Sequence, residues 1–198
     1  MRYYVDIVLI SNEEESLGYL WRKLYAQIHL ALVEVRDEND LVSIGLAFPK
    51  YSDDRFLGDT LRLFSATKEE LESLNLEKWL NRLEGYVFVG MIKEVPKDTK
   101  FATFGRKQFK SNSEIRRLAK RHAQREQIAY EEALQNFERT EAKYREERDK
   151  NRLPYINIKS LSTGHEMKLF IIKKSSEIEQ QGKFNTYGLS NTTTVPDF

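Results

Sequence analysis

The sequence predicts an α+β chain in two parts. Over residues 1–97, strand-like and helix-like stretches alternate in the order β-α-β-β-α-β. From residue 113 a long, charged helical pattern replaces that alternation. Beyond Pro154 the pattern returns to short apolar runs, which suit a small antiparallel sheet.

Tyr3 to Ile10 (YYVDIVLI) is aromatic and β-branched, as a strand requires. Ser16 then serves as N-cap for an amphipathic helix reaching about Val35, because Leu17, Leu20, Trp21, Leu24, Ile28, Ala31 and Leu32 recur at helical spacing. Leu41 to Phe48 reads as a second strand, ended by Pro49, and Arg62 to Ala66 as a third. Lys68 to Leu83 reads as a second helix with Leu71, Leu74, Leu76, Trp79 and Leu80 on its apolar side. Tyr86 to Val95 is a fourth strand, stopped by Pro96. This order is the ferredoxin-like pattern, two helices on one face of a four-stranded antiparallel sheet. The expected organisation is therefore a ferredoxin-like domain over 1–97, a linker over 98–112, and a C-terminal domain over 113–198. In that last part Ser113 is the expected cap of a basic helix, and the helical pattern continues, or restarts near Gln124, to about Arg148. Pro154 to Lys159, Met167 to Lys173 and Phe184 to Leu189 read as strands, the first two forming a hairpin around Ser160–Gly164.

The chain has 198 residues, 40% hydrophobic and 32% charged, enough for one large domain or two small ones. It has no cysteine, which excludes disulfides, thiolate nucleophiles and thiolate metal sites, and fits a reducing cytoplasm. No apolar run approaches the ~18 residues of a membrane span, so no membrane partner is expected. Net charge is only +1, but it is unevenly distributed. Gly105 to Arg125 carries eight basic residues and a single acid, Glu114, whereas Glu126 to Lys150 carries eight acids and five bases. A concentrated basic patch steers an anion better than a diffuse excess, since fields decay over ~8–10 Å in salt.

Within the basic stretch, Arg117, Lys120 and Arg121 lie at i, i+3 and i+4 and share one helix face, flanked by Arg116 and extended by Arg125. Ile115, Leu118 and His122 are the expected seat of the helix on the body. A solvated charged helix is the plain alternative, but the missing acids at i±4 favour an anionic partner such as a phosphate backbone. Just upstream, Arg106 and Gln108 are the side-chain types that bond guanine and adenine edges. Exposed loop residues would look the same. The three histidines, His29, His122 and His165, have no acidic partners at metal-ligand spacing, so no metal site is expected. His29, at the edge of the apolar stripe of the first helix, is either a packed histidine or a proton-transfer group. Ser160, Ser162 and Thr163 offer hydroxyls in one loop that could hold a ribose or a phosphate, and Tyr187 ends a strand, where packing is its default role.

In order along the chain, Gly45-Leu46-Ala47-Phe48-Pro49, then Arg106, Gln108, Lys110, Ser111 and Asn112, then the arginine-rich run ending at Arg121-His122, then Ser160–Gly164, then Tyr187-Gly188-Leu189-Ser190 resemble one family across nearly the whole length. It is the CRISPR-associated endoribonuclease family of type I-F systems, which cuts the repeat hairpin of precursor CRISPR RNA. The resemblance implies that His29 deprotonates the attacking 2′-hydroxyl, Ser160 holds that hydroxyl and its ribose, and Tyr187 orients His29 or the scissile region. It implies that Arg106 and Gln108 read base pairs at the foot of the stem, while Arg116, Arg117, Lys120 and Arg121 track stem phosphates. The products would be a 2′,3′-cyclic phosphate and a 5′-hydroxyl, with no cofactor. The enzyme would keep its product hairpin beside the other subunits of the type I-F surveillance complex. Two departures stand out. The basic helix is shorter between Asn112 and His122 than the family pattern, and Met167 stands where the family places an aromatic that stacks on the terminal base pair. An A-form major groove is normally too deep and narrow for side chains, so the helix would enter at the open end of a short stem. The alternative from the same residues is a non-catalytic RNA-hairpin binder.

Overall fold

Two antiparallel sheets share one hydrophobic core. The computed structural model describes residues 1–11, 15–52, 56–150, 153–159 and 164–198, with the backbone alone at 147–150. The first sheet is built on β1 (Tyr3–Leu9), which pairs with β4 (Thr60–Ser65) on one side. On its other side it pairs with β5 (Val87–Val89) and β6 (Lys93–Glu94). β3 (Gly45–Ala47) closes the far edge on β4. The second sheet runs in the order β11 (Val195–Asp197), β7 (Lys100–Lys107), β9 (Glu166–Ser176), β8 (Tyr155–Lys159).

Helix α1 (Leu17–Glu34) starts where Ser16 accepts the Tyr19 N–H, as an N-cap hydroxyl should. Leu20, Trp21, Leu24, Tyr25, Ile28, Ala31 and Leu32 are buried along one stripe. Each of its leucines and its isoleucine contributes about 1.5–3 kcal/mol on burial. The stripe touches β1 and, more extensively, β8, so α1 packs on both sheets. One apolar cluster accordingly runs from Val5 in the first sheet to Leu169 and Ile171 in the second. Arg62 fastens the C-terminus to this body. It makes paired bonds to Asp6 at 2.6 and 2.9 Å, donates to the Phe198 carbonyl at 2.9 Å, and sits 4.1 Å from the Phe198 ring.

Several elements differ from the sequence expectation, each for a local reason. The second strand, expected over 41–48, is divided. β2 (Leu41–Val42) pairs with β10 (Phe184–Asn185), and only β3 joins the first sheet. Gly45 sits at the change of partner, where a Cβ would collide with Phe184 and Val195. The second helix, expected over 68–83, is broken into α2 (Lys68–Ser73), α3 (Leu76–Leu80) and a 3₁₀ turn at Asn81–Leu83. Asn75 breaks it by adopting a left-handed conformation (φ +46°) and capping Lys78 with its own side chain. The fourth strand, expected over 86–95, is interrupted after Val89, where the Gly90 N–H turns to the Asp6 carbonyl. The third is shifted to Thr60–Ser65. Of the final strand expected over 184–189 only Phe184–Asn185 is extended, and the terminal strand β11 was not expected at all.

The largest correction concerns 98–112. Its irregular appearance hides β7, which pairs with β9 from Phe101 to Lys107 and with β11 from Lys100 to Ala102. Ala102, Thr103 and Phe104 are all buried, so the two-faced burial of a central strand replaced the alternation a sequence reader looks for. Only residues 108–111 connect this strand to α4 (Asn112–Glu126). The α4 cap is Ser111 and not Ser113, because Ser111 Oγ accepts the Glu114 N–H at 3.2 Å. A left-handed Gln127 ends α4, and α5 (Tyr130–Lys150) folds back against it. Ile115, Ala119 and Ala123 are the buried seat, whereas Leu118 and His122 stay half-buried.

Candidate active site and nucleic-acid interface

The turn after β10 and one face of α1 build the first part of the site. Asn185 organises the turn, its Oδ1 accepting the N–H groups of Tyr187 (2.8 Å) and Leu189 (3.3 Å). Gly188 completes it at φ +68°, a conformation that glycine adopts without a Cβ penalty. Two successive carbonyls, Thr186 and Tyr187, then face two side chains one helical turn apart on α1. His29 Nδ1 donates to the Thr186 oxygen at 2.8 Å, and the Tyr25 hydroxyl donates to the Tyr187 oxygen at 2.9 Å.

The His29 bond fixes chemistry as well as position. A carbonyl oxygen only accepts, so Nδ1 carries the hydrogen, and the lone pair of the neutral ring lies on Nε2. Among the described residues nothing bonds Nε2. The Tyr187 ring lies flat against the imidazole, with centroids 4.2 Å apart and planes 6° apart. Tyr25 is buried. Burial first, and then its neighbour Tyr187, push its hydroxyl well above the ordinary tyrosine range against the opposing pull of Arg106. It therefore stays a donor to the turn. His29 and Tyr187, far apart in sequence, are brought into contact.

Arg106 joins this pair to the second sheet. Its guanidinium lies 5.7 Å from the Tyr187 ring centroid and donates through Nη2 to Met167 Sδ at 3.6 Å. With its oxygen turned towards Arg106, the Gln108 amide accepts from the same guanidinium at 3.1 Å. Arg106, Gln108 and Met167 line a groove of about 430 Å³ together with Phe109, Lys110 and Phe170. Lys107 and Lys168 line it too, so cations and aromatic rings share its wall. The β8–β9 hairpin that supplies Met167 is tied to α1 by Arg22, which donates to Glu166 at 2.7 Å.

Helix α4 departs from the same groove, to which it contributes Glu114. Its buried face rests on Ala133, with Ile128, Leu134 and Phe137 around it. Arg116, Arg117, Lys120 and Arg121 are all exposed, with Arg117 and Arg121 opposite that face. None of these four has an acidic partner among the described residues. Ser160 lies outside the described residues, as do Ser162 and Thr163. His122 packs edge-on against Phe137 at 5.7 Å, a structural contact. Among the described residues no group of three or more histidine, aspartate or glutamate side chains could hold a metal ion, and no helix is long and apolar enough to cross a membrane.

Sequence reasoning missed Tyr25, Asn185 and Thr186. Tyr25 had a signal, four residues before His29 on the same helix. Thr186 acts through its backbone oxygen, which leaves no mark in the sequence.

Comparison with known proteins is consistent over the full length. Residues 4–198 match the family model described as CRISPR-associated protein (Cas_Csy4). A "CRISPR-associated endonuclease Cas6/Csy4" of Pseudomonas aeruginosa (strain UCBPP-PA14) is 32% identical over 200 residues, covering 100% of both chains. A protein of the same description from Escherichia coli (strain UTI89 / UPEC) is 31% identical over 199 residues, again covering 100% of both.

Proposed function

This chain belongs to the Cas_Csy4 family of CRISPR-associated proteins, and on that premise we propose that it is an endoribonuclease that cuts the repeat hairpin of precursor CRISPR RNA. The observation that carries the reading is the His29 Nδ1 bond to the Thr186 carbonyl, which leaves Nε2 as the proton acceptor. RNA contains its own nucleophile, so a base and an alignment device suffice. His29 Nε2 takes the proton of the 2′-hydroxyl before the scissile phosphate. The 2′-oxygen bonds to phosphorus, the bond to the 5′-oxygen breaks, and that oxygen takes up a proton from solvent. A 2′,3′-cyclic phosphate and a 5′-hydroxyl result, without a metal in the step.

The other residues divide the remaining work. Tyr187 holds the imidazole plane, and Ser160 holds the ribose that bears the nucleophile. Arg106 and Gln108 read the base pairs at the foot of the stem from the groove, where Met167 abuts the terminal pair. Arg116, Arg117, Lys120 and Arg121 follow the stem phosphates. Functionally, residues 1–97 carry the base, 98–112 read the stem, and 113–198 grip it. The first-sheet order β3-β4-β1-β5, with α1 packed on β1, supports a ferredoxin-like reading of the first part. The product hairpin stays bound, and the protein enters the type I-F surveillance complex with it, in the cytoplasm.

The test is His29→Ala on a labelled repeat hairpin in EDTA. General-base catalysis supplies typically ~10²–10⁴-fold, so cleavage should fall by that factor while hairpin affinity is unchanged. Cleavage at the wild-type rate would refute the assignment.

A further inference from the structure

Only four residues, Gln108 to Ser111, connect β7 to α4, and they have no regular structure of their own. Their backbone groups need partners from elsewhere. Lys110 obtains both of its partners from α5. Its N–H donates to Glu141 Oε1 at 2.8 Å, and its carbonyl accepts from Arg145 Nη2 at 2.8 Å. Glu141 and Arg145 stand at i and i+4, one turn apart, with Arg145 Nε 3.8 Å from the carboxylate.

Glu141 is 3% exposed and is the only charged residue fully buried among the described residues. A buried carboxylate is costly unless its lone pairs are used. Here they are used on one loop residue and one arginine, far along a helix whose remaining surface is mostly solvated. The same helix also reaches the end of β7 beside the segment, where Lys107 Nζ lies 3.9 Å from the Tyr144 ring centroid. Phe109 is held from the other side by the Phe170 ring, edge-on at 5.1 Å. Gln108 therefore lies between fixed neighbours, and its amide faces Arg106.

We propose that Glu141 and Arg145 are positioning residues for base discrimination: by clamping the Lys110 backbone they set the register of Gln108 and Arg106 against the foot of the RNA stem. This rests on the base-reading role given to Arg106 and Gln108. It assigns α5 a part in choosing the substrate. The clamp holds the readers where their donors and acceptors meet base edges, while the cations of α4 bind phosphates irrespective of sequence.

The test measures single-turnover cleavage of two RNAs by the full chain: the repeat hairpin of its own locus, and the same hairpin with the base pair at the foot of the stem inverted. A well-placed bidentate base contact discriminates by ~1–3 kcal/mol, or roughly 5- to 150-fold. Wild-type protein should prefer the native hairpin within that range. Glu141→Ala should lose most of that preference through slower cutting of the native hairpin, with little change on the inverted one. Glu141→Gln keeps an oxygen for the Lys110 N–H and should restore most of it. Equal losses on both RNAs, or full preference in Glu141→Ala, would overturn the clamp. If Glu141→Ala does not fold, the inference stands or falls on Arg145→Ala, which frees the Lys110 carbonyl and should reduce the preference likewise. Wild-type protein that cuts both hairpins equally would instead remove the base-reading premise, a result distinguishable from failure of the clamp.

Discussion

Gly188→Ala concentrates the dependence of the site on the fold into one methyl group. Gly188 adopts φ +68°, and an added Cβ would be driven into the Leu46 side chain, which is 1% exposed and has no space to yield. A left-handed conformation costs a non-glycine residue ~1–2 kcal/mol. Overpacking a full core costs typically ~1–3 kcal/mol. Together they give about 3 kcal/mol, or a fall in Tm of about 6–12 °C for a chain of this size. The turn also carries the carbonyls bonded by His29 and Tyr25, and its Gly188 oxygen accepts the Leu46 N–H at 2.8 Å. A shift that relieves the clash therefore moves the imidazole and the Tyr187 ring. A displacement near 1 Å can cost about 10²-fold in rate. Thermal unfolding and single-turnover cleavage below the lowered Tm measure the two effects separately. A variant within 0.5 °C of wild type and equally active would refute the account of this turn.

Other consequences follow from individual contacts. Met167→Phe places an aromatic at the groove; base stacking contributes ~1–3 kcal/mol, so product-hairpin release should slow by about fivefold or more, read as an off-rate. Asp37 has its carboxyl held below the usual aspartate range, first by the hydrogen bond from Lys183 and then by the Leu41 N–H. Because its folded value is depressed, its contribution is present above the unfolded aspartate value and is lost as pH falls through the folded one. Asp37→Asn should therefore narrow the stability gap to wild type in acid, which urea titrations at several pH values detect.

Much of this fold was legible because burial left a periodic mark. The α1 stripe is such a mark, and the aromatic and β-branched run of β1 is as plain a signal for a strand. The helix over 68–83 failed at Asn75, where a side-chain cap outweighed a continuous apolar pattern. β7 was hidden because both of its faces are covered. In the site, His29, Arg106 and Tyr187 were named from chain order and a family resemblance, and their contacts came from folding three distant segments together. The clamp on Lys110 had no sequence signal, since Glu141 resembles the exposed acids around it on α5.

The central claim is that the RNA supplies its own nucleophile and His29 activates it. It is tested most directly with a repeat hairpin carrying a single 2′-deoxy nucleotide before the scissile phosphate. The account predicts that this RNA binds like the unmodified hairpin, competes with it and remains uncut after prolonged incubation. Cleavage of the modified RNA at the same position would contradict it, because the attacking oxygen would then have come from elsewhere.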